Sequence, residues 1–555
     1  MGQGRTVIAV IDHQRRRFLS FSLAASASAS TSALLAGCDY AAGDSPTSHI
    51  VGGFSNNALF ERGHANPANP ANPANLSISP SVVRKTRVLI AGGGVAGLAA
   101  ARSLRLQGID DFALLDLQDN AGGNSQGTHI GGIACPQGAH YLPLPSDDAP
   151  EIQNLLEELG LRQRINGRWQ YDERHLCHTP QERLFFNGHW QEGLLPVQGV
   201  EPRTLQQYTH FSRLVEHFRQ TTRWTIPVQK SSLTPVHQAL AAITFVAWLD
   251  REKLTDGYLR WYLDYCCRDD YGAGIGTVSA WAGIHYFASR HGFHAPSGME
   301  SVEREGLLTW NQGNAWLTER LAAPLGKRWY PHRVVLRIAH RKHHAEVDVF
   351  NPLEQRIERW QADRVIVALP IFVAARVVEN PPDFLRHAAR RTLYSPWLVA
   401  NIHIAKALED RPSDAPPSWD NVIYDPHSTQ GLGYVDASHQ NLHPVAGATV
   451  LTHYRALSDR RVLLQTPWTA WRDRIVAELS VPHPDVASKI TQIHITRYGH
   501  AMAIPVPVSH SEPPIVPLPF ERLRFAHSDW AGYSIFEEAF TMGHNAAQFT
   551  PPKRR

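Results

Sequence analysis

The fold of this chain is constrained most by three glycines, Gly92, Gly94 and Gly97, at the junction between an apolar run and an alanine-rich run. The junction lies in VLIAGGGVAGLAAARSLRL, residues 88–106, where the apolar half predicts a buried strand and the alanine-rich half predicts a helix. Gly92 permits a tight turn and Gly94 lets phosphate groups approach the backbone. Gly97 lets the helix pack closely on the strand. The arrangement is typical of a turn that binds a ligand at a helix N-terminus.

A second strand follows the helix and ends in an acid. Phe112-Ala113-Leu114-Leu115 is apolar, and Asp116 comes directly after it. In dinucleotide-binding folds, a carboxylate roughly 20 residues past the glycines meets ribose hydroxyls, and Asp116 stands in this region. Strand, glycines, helix, strand and acid therefore predict a Rossmann-type α/β domain that binds an adenine dinucleotide. The alternative is a glycine-rich turn that serves structure alone.

The whole chain limits the remaining function classes. Its 555 residues predict more than one domain, and a hydrophobic content of 43% with 19% charged residues indicates a globular protein. The 54 basic and 51 acidic residues give a net charge of +3, and no basic block follows the N-terminus. We therefore expect no nucleic-acid partner. No metal site is predicted, because the histidine clusters lack a known ligand spacing.

The N-terminus has the parts of an export signal. Arg15-Arg16-Arg17 precedes Phe18-Leu19, and an Ala/Ser-rich segment runs to Leu35-Ala36-Gly37-Cys38. The arginine pair resembles the twin-arginine signal, and Leu-Ala-Gly-Cys resembles the lipobox of bacterial lipoproteins. The sequence predicts export, lipidation at Cys38 and a lipid-anchored location on the periplasmic side of the cell membrane. The alternative is a disordered N-terminus without a signal.

The segments divide into a signal, a tether, two interleaved domains and a tail. Residues 65–73 repeat Ala-Asn-Pro three times, a composition that favours extended backbone. A middle section rich in helical periods and aromatic residues predicts a helical or α+β substrate domain. Its aromatic residues suit a pocket for an apolar or flat small molecule. The expected boundaries are 1–37 signal, 38–84 tether, 85–145, 301–370 and 491–548 cofactor domain, 146–300 and 371–490 substrate domain, and 549–555 tail.

Five segments resemble the flavin-containing amine oxidase superfamily. After the acid comes DNAGGN, as in the Gly-Gly segment that passes under the FAD pyrophosphate in that family. IGGIACPQGAHYLP (130–143) is similar to its segment along the flavin, and GLLTWNQGNAWLTERLAAPL (306–325) with HRVVLRI (332–338) to its return to the cofactor domain. ADRVIVALP (362–370) and RFAHSDWAGYSIFEEAFTMGHNAA (524–547) are similar to its next strand and its C-terminal signature. The resemblance implies an FAD cofactor.

The resemblance also implies contacts for the cofactor. Val335 would meet adenine through its backbone, Asp529 would lie near the ribityl chain and phosphates, and the N–H groups around Tyr533 and Ser534 would face the flavin pyrimidine. A helix N-terminus there would stabilise negative charge on the reduced flavin. The predicted FAD-binding residues are Gly92, Gly94, Val95, Ala96, Gly97, Asp116, Gly122, Gly123, Asn124, Gly138, Ala139, His140, Val335, Asp529, Tyr533 and Ser534.

The sequence departs from the family at several of these positions. Asn124 stands where the family commonly has arginine, and Asp116 replaces the commoner glutamate. No cysteine follows Cys267, which excludes the C-terminal cysteinyl–flavin bond of some amine oxidases. The family's amine oxidases place a lysine near flavin N5, and the comparable region 383–388 contains none.

The functional hypothesis is an exported FAD-dependent oxidoreductase, similar to amine oxidases, in which a substrate gives hydride to flavin N5 and oxygen or another acceptor takes the electrons. No catalytic residue is assigned, because flavin chemistry needs a positioned substrate more than a dedicated acid or base. Substrate-pocket candidates are Tyr141, Tyr498, His500 and Trp530. The alternatives are C–C or C–H oxidation of the desaturase or porphyrinogen-oxidase kind, a nicotinamide dehydrogenase, and a non-catalytic FAD-binding lipoprotein.

Overall fold

The computed structural model describes residues 47–55, 80–231, 233–290, 292–296, 306–411, 415–426, 431–441, 447–509 and 515–549. The predicted export signal, Cys38, the Ala-Asn-Pro run and residues 550–555 of the predicted tail lie outside these ranges. None of the helices within them is long and apolar enough to span a bilayer. The cysteines within them, Cys135, Cys177, Cys266 and Cys267, are all free thiols.

The strands, in chain order, are β1 Val51–Phe54, β2 Val82–Ala91, β3 Phe112–Leu115, β4 Gly127–Ile130, β5 Ile133–Pro136, β6 Tyr141–Pro143, β7 Arg162–Ile165, β8 Arg168–Tyr171, β9 Glu182–Phe186, β10 His189–Glu192, β11 Leu307–Thr309, β12 Trp329–Tyr330, β13 Val334–His340, β14 Ala345–Asn351, β15 Arg356–Val367, β16 Leu393–Ile404, β17 Asp420–Ile423, β18 Gly431–Asp436, β19 Thr449–Ala456, β20 Ile490–Ile504 and β21 Leu523–Phe525.

The α-helices span Val95–Leu106, Pro150–Glu158, Pro202–Thr221, Pro235–Ala241, Phe245–Arg251, Gly257–Tyr271, Ala280–Ala288, Ala315–Ala322, Ile371–Val377, Asp383–Arg391, Arg460–Gln465, Trp468–Leu479, Val486–Lys489 and Phe536–Ala546. Short 3₁₀ helices cover Val228–Lys230, Ala323–Arg328 and Ser528–Ala531.

A seven-stranded sheet carries the segments that the sequence assigns to the cofactor domain. Its order is β12-β3-β2-β15-β14-β13, with β21 beside the C-terminal half of β15. The strands β12, β3, β2, β15 and β21 run parallel to their neighbours in this group, whereas β14 pairs antiparallel with β13 and β15. The helices Val95–Leu106 and Phe536–Ala546 pack against each other on this domain. The predicted Rossmann-type α/β fold is confirmed.

Strand β15 combines two elements that the sequence predicts as separate strands. The pattern of EVDVFNPLEQRIERWQADRVIVALP predicts a hairpin followed by a buried strand. In the structure β14 and β15 form the hairpin, and β15 continues without interruption into the buried run at Val365–Val367. Its first half therefore pairs with β14, and its second half lies between β2 and β21.

An eight-stranded, mostly antiparallel sheet supports the substrate domain, in the order β1-β20-β16-β19-β18-β17-β9-β10. Alternate side chains of β16 point to its two faces, as strand geometry requires. Trp397 and Val399 pack with the helices between residues 202 and 288, and Leu398 and Ala400 pack with the helix Trp468–Leu479. The result is a sheet with a separate hydrophobic core on each face.

The first strand of this sheet lies in the segment that the sequence assigns to a tether. β1 pairs in parallel with β20, and Ile50 is 2% exposed in the core beside Trp471. The tether prediction is therefore wrong for residues 47–55. The amino-acid composition does not reveal this strand, because the strand is short and its pairing partner β20 lies near the other end of the chain.

Candidate active site

A cavity of about 1100 Å³ opens at one edge of the seven-stranded sheet. The parallel strands β3, β2, β15 and β21 all end there, and the lining includes Asp116, Gly92, Ala368 and His527 from the segments that follow them. This edge is where doubly wound sheets bind ligands. Because single small ligands usually occupy about 300–1,000 Å³, the cavity has room for a dinucleotide and a substrate.

Most residues that the sequence proposes for the cofactor and the substrate line this cavity. The positions are Gly92, Gly94, Val95, Ala96, Asp116, Gly122, Gly123, Asn124, Gly138, Ala139, His140, Val335, Asp529 and Ser534 for the cofactor, and Tyr141, Tyr498 and His500 for the substrate. Their contacts with ligands stay predictions. Gly97, Tyr533 and Trp530 do not line the cavity.

The glycine turn forms a cradle against the second glycine pair. Gly94 bridges to Gly122, and a Cβ on Gly94 would meet only the Gly123 Cα, at 4.0 Å. Protein packing alone therefore leaves space for a side chain at Gly94. The helix Val95–Leu106 begins there with no side-chain cap, so its first N–H groups are available to an anion. These features fit the diphosphate of FAD.

Gly97 has a different reason to be glycine. A Cβ there would lie 1.8 Å from the Gly92 carbonyl oxygen, which no backbone adjustment of a few tenths of an ångström relieves. The residue is buried under the turn instead of lining the cavity. It serves the close approach of helix and strand that the sequence predicts for it.

Asp116 holds the glycine turn as well as facing the cavity. One carboxylate oxygen accepts a hydrogen bond from the Gly93 N–H, and the other accepts one from the Gln118 N–H at 2.6 Å. The backbone N–H of Arg333 donates to the Asp116 carbonyl at 2.6 Å, which ties β3 to the segment before Val335. The short aspartate side chain thus positions the loops around the predicted ribose and adenine.

The substitution of asparagine for arginine at position 124 has a structural consequence. The Asn124 amide donates to the Ala501 carbonyl at 2.9 Å, so it joins the cofactor domain to β20. The Asn124 carbonyl accepts from the Ala139 N–H at 2.9 Å. The asparagine side chain therefore adds the link to β20, whereas the backbone of residue 124 fixes the segment that contains Gly138 and His140.

Asp529 lies at the centre of a hydrogen-bonded group. Its Oδ2 accepts from the Ile371 N–H at 3.0 Å and from the Tyr394 hydroxyl at 2.6 Å, and its Oδ1 lies 3.1 Å from His527 Nδ1. These partners hold the pKa of the buried Asp529 carboxyl below its usual value, although burial opposes them. The side chain is therefore a fixed anion that joins three segments of the cavity wall.

Tyr533 joins the two domains. Its hydroxyl donates to the Asp270 carboxylate and accepts from Arg290 Nη2 at 2.7 Å, while Arg290 Nη1 lies 3.2 Å from Asp270 Oδ2. Tyr533 and Asp270 are buried, and the Arg290 side chain is only 6% exposed. The tyrosine side chain is therefore turned towards the substrate domain and away from the cofactor.

Trp530 belongs to the core of the cofactor domain. Its ring lies 6.0 Å from that of Phe525 and 6.1 Å from that of Phe384, and it is 5% exposed. The C-terminal signature is partly a packing element, and the sequence does not tell which of its aromatic residues turn inward.

An aromatic wall surrounds the segment that the sequence places along the flavin. The His140 ring stacks on Tyr454 at 4.6 Å, and the Tyr454 hydroxyl donates to the Gly138 carbonyl at 3.0 Å. The Tyr498 hydroxyl donates to the Gln137 carbonyl at 2.9 Å. Burial lowers the pKa of His140 to about 4, so its imidazole is neutral near pH 7. Trp397 completes this wall.

Two consecutive carboxylates face the cavity beside the aromatic wall. The helix Gly257–Tyr271 begins at the Asp256 cap and ends at Gly272, whose φ is 69°. Its last turn carries Asp269 and Asp270, at the end of the helix where the dipole disfavours negative charge. Burial and the neighbouring Asp270 raise the pKa of Asp269 to about 7.

Sequence reasoning missed five residues of this region: Trp397, Tyr454, Asp269, Asp270 and Arg290. They come from the middle and late segments, for which no family resemblance was found. A usable signal was present at Asp269 and Asp270, because two acids in the last turn of an aromatic-rich helix, just before a C-terminal glycine, work against helix stability. The other three depend on tertiary contacts.

Comparisons with known proteins agree with this geometry. The model of the family described as flavin containing amine oxidoreductase matches residues 95–549. A solved structure of a putrescine oxidase double mutant superposes with a TM-score of 0.63 at 16% identity, covering 84% of this chain and 98% of that one. Cyclohexylamine oxidase from Brevibacterium oxydans IH-35A gives a TM-score of 0.60 at 17% identity, over 83% and 98%.

Two curated proteins are similar to short segments of this chain. Protoporphyrinogen oxidase 2 of Arabidopsis thaliana is 32% identical over 78 residues, which are 14% of this chain and 15% of that protein. The chain matches 15% or less of the length of the curated relatives. The solved structures share few identical residues with this chain, so their similarity establishes the fold alone. The substrate has to be inferred from the chemistry of the cavity.

Proposed function

Because the chain belongs to the flavin-containing amine oxidoreductase family and is an FAD-dependent oxidoreductase, we propose that its substrate is an amine. The observation that carries the proposal is the Asp269 carboxylate beside the aromatic residues Tyr454 and Trp397. The neighbouring Asp270 is already paired with Arg290. A carboxylate next to aromatic faces attracts an organic cation, through Coulomb and cation–π interactions. An apolar substrate would leave the partly buried Asp269 carboxylate without a compensating charge.

FAD, when bound, accepts hydride from the substrate carbon that carries the nitrogen. The residues of the chain orient the two partners for this transfer. Tyr454 and Tyr498 fix the backbone at Gly138 and Gln137, so the wall on which the flavin is expected to rest is held by two hydrogen bonds. Asp270, tied to Arg290 and Tyr533, anchors the helix that presents Asp269.

The lysine of the family's amine oxidases has no counterpart in this cavity. None of the lysines among the described residues lines it, and the helix Asp383–Arg391, which contains the compared region, lies outside the lining. Proton transfer near the substrate nitrogen therefore falls to a carboxylate instead of a lysine-bound water.

The proposal is tested by comparing an amine with its uncharged analogue. We expect FAD-loaded protein with a dye as electron acceptor to release ammonia from benzylamine and to leave benzyl alcohol unchanged. Oxidation of non-basic C–C or C–H substrates in preference to amines would instead favour the porphyrinogen-oxidase-like alternative.

We also propose that the protein is exported and lipid-anchored at Cys38, on the periplasmic side of the membrane. The support is the order of the arginine pair, the Ala/Ser-rich segment and the Leu-Ala-Gly-Cys sequence. Cell fractionation with Cys38→Ser tests the anchor: the variant should leave the membrane fraction. Equal membrane retention of both proteins would contradict it.

A further inference from the structure

The carboxylates that line the cavity differ in the partners they already have. Asp116 accepts from backbone N–H groups, and Asp529 accepts from Ile371, Tyr394 and His527. Asp270 is engaged by Arg290 and Tyr533. Each of these side chains thus has a structural role that occupies its oxygens.

Asp269 differs from these three acids. Its side chain accepts no hydrogen bond and joins no ion pair among the residues that the structure describes, although it opens on the cavity next to Asp270. Its place in the last turn of the helix is also unfavourable for a negative charge. Such a carboxylate costs stability when it is ionised, and a cationic ligand in the cavity would offset this cost.

The charged and titratable groups around Asp269 come from four elements. Arg268, Asp270 and Tyr265 share its helix, and Arg290 follows the helix Ala280–Ala288. Asp420, at the start of β17, and Tyr454, on β19, also interact with it electrostatically. Burial and Asp269 raise the pKa of Asp420 well above its usual value. Burial and Asp270 oppose a negative charge on Asp269 more strongly than Arg290 and Arg268 favour it, so the pKa of Asp269 is raised.

We propose that Asp269 accepts the proton that the substrate ammonium group loses before its carbon is oxidised; the inference rests on the amine substrate proposed above. An N–H bond of the ammonium breaks, its electron pair stays on nitrogen, and an O–H bond forms at Asp269. The step leaves two neutral groups in a site that disfavours separated charges. The pKa of Asp269, about 7, suits a group that accepts a proton near neutral pH.

Two probes separate this inference from the amine proposal. Benzylamine carries hydrogens on the carbon next to nitrogen, whereas tert-butylamine has none and cannot be oxidised in this way. FAD-loaded wild-type protein is compared with Asp269→Asn, with Asp269→Glu, which retains the carboxyl group, and with the control Asp250→Asn, an exposed acid.

The first readout needs no oxidation. In the infrared difference spectrum on addition of tert-butylamine near pH 8, wild type should gain the C=O band of a protonated carboxyl group. We expect the band in Asp269→Glu and Asp250→Asn and not in Asp269→Asn. Its absence from wild type, or its persistence in Asp269→Asn, would overturn the inference.

The second readout is the limiting rate of flavin bleaching by benzylamine. In Asp269→Asn this rate should fall by about 10²- to 10⁴-fold, the usual contribution of a general base. As the pH is raised, the rate of this variant should increase only where the amine itself deprotonates. A higher apparent dissociation constant with an unchanged limiting rate would make Asp269 a counter-ion only and overturn the inference. If benzylamine fails to bleach wild-type flavin while the infrared band appears, the amine oxidation proposal fails and the proton transfer stands.

Discussion

Gly94 and Gly97, in the turn after β2, differ in the atoms that an added Cβ would meet. A Cβ on Gly97 would lie 1.8 Å from the Gly92 carbonyl oxygen, whereas a Cβ on Gly94 would face open space with Gly123 at 4.0 Å. The sequence motif predicts that Gly97 serves the fold and Gly94 the ligand, and these distances give each prediction a physical reason.

Gly94→Ala should therefore weaken FAD binding without unfolding the protein. A methyl group in the cradle keeps the diphosphate from the helix N-terminus, and we expect an at least tenfold higher dissociation constant, about 1.4 kcal/mol. The free energy of unfolding without FAD should change by less than about 0.5 kcal/mol. Fluorescence titration with FAD and denaturant unfolding measure the two quantities.

Gly97→Ala is the matched control, for which we expect a loss of stability. The clash with the Gly92 carbonyl should lower the free energy of unfolding by about 3 kcal/mol. If both variants lost the same stability, or if Gly94→Ala bound FAD as tightly as wild type, the assignment of Gly94 to the cofactor would fail.

Asp269 makes stability depend on pH. Its pKa is about 7 in the folded chain against 3.8 for the ordinary side chain. The folded state therefore resists ionisation, and the stability that the neutral form provides is lost between about pH 4 and pH 7. The loss is at most ~1.4 kcal/mol per pH unit. In urea unfolding, the free energy of unfolding of Asp269→Asn should exceed that of wild type by more at pH 8 than at pH 5. A gain that is equal at both values would contradict the raised pKa.

At the scale of elements, the contact between Tyr533, Asp270 and Arg290 joins the segment before the last helix to the helix Gly257–Tyr271. Removing the hydroxyl in Tyr533→Phe leaves two buried charged groups short of a hydrogen bond, so the free energy of unfolding should fall by about 2 kcal/mol. Tyr258→Phe, whose hydroxyl has no hydrogen bond among the described residues, is the control and should change it by less than about 0.5 kcal/mol. Equal unfolding midpoints would remove the proposed link.

Substitutions in β1 and at Ile50, which directly precedes it, test whether residues 47–55 belong to the cooperative fold. Ile50→Ala removes a side chain that is 2% exposed, and Val51→Ala removes one that is 61% exposed. We expect a loss of about 2–5 kcal/mol for the first and less than about 0.5 kcal/mol for the second. Thermal or denaturant unfolding distinguishes them, and similar small losses would place this strand outside the cooperative fold.

Across the whole molecule, the sequence predicted the cofactor half far better than the substrate half. The glycine turn, Asp116 and the C-terminal signature are local patterns, and the residues they contribute lie together because parallel strands end at one edge of a sheet. Asp269, Arg290 and Tyr454 meet only through helix and sheet packing, so no local pattern brings them together. The strand β1 was missed for the same reason.

The cavity is lined by residues from 92 to 539, so nearly the whole described chain must be folded before it exists. This requirement accords with the proposed twin-arginine route, which carries folded proteins. A flavoprotein assembled in this way would acquire FAD before export.

The visible absorption spectrum of the purified, FAD-loaded protein, recorded without oxygen before and after benzylamine, tests the central claim most directly. The account predicts flavin bands that bleach in wild type and bleach far more slowly in Asp269→Asn. A folded protein that takes up no FAD, or a bound flavin that stays oxidised with every amine offered and bleaches only with dithionite, would contradict it.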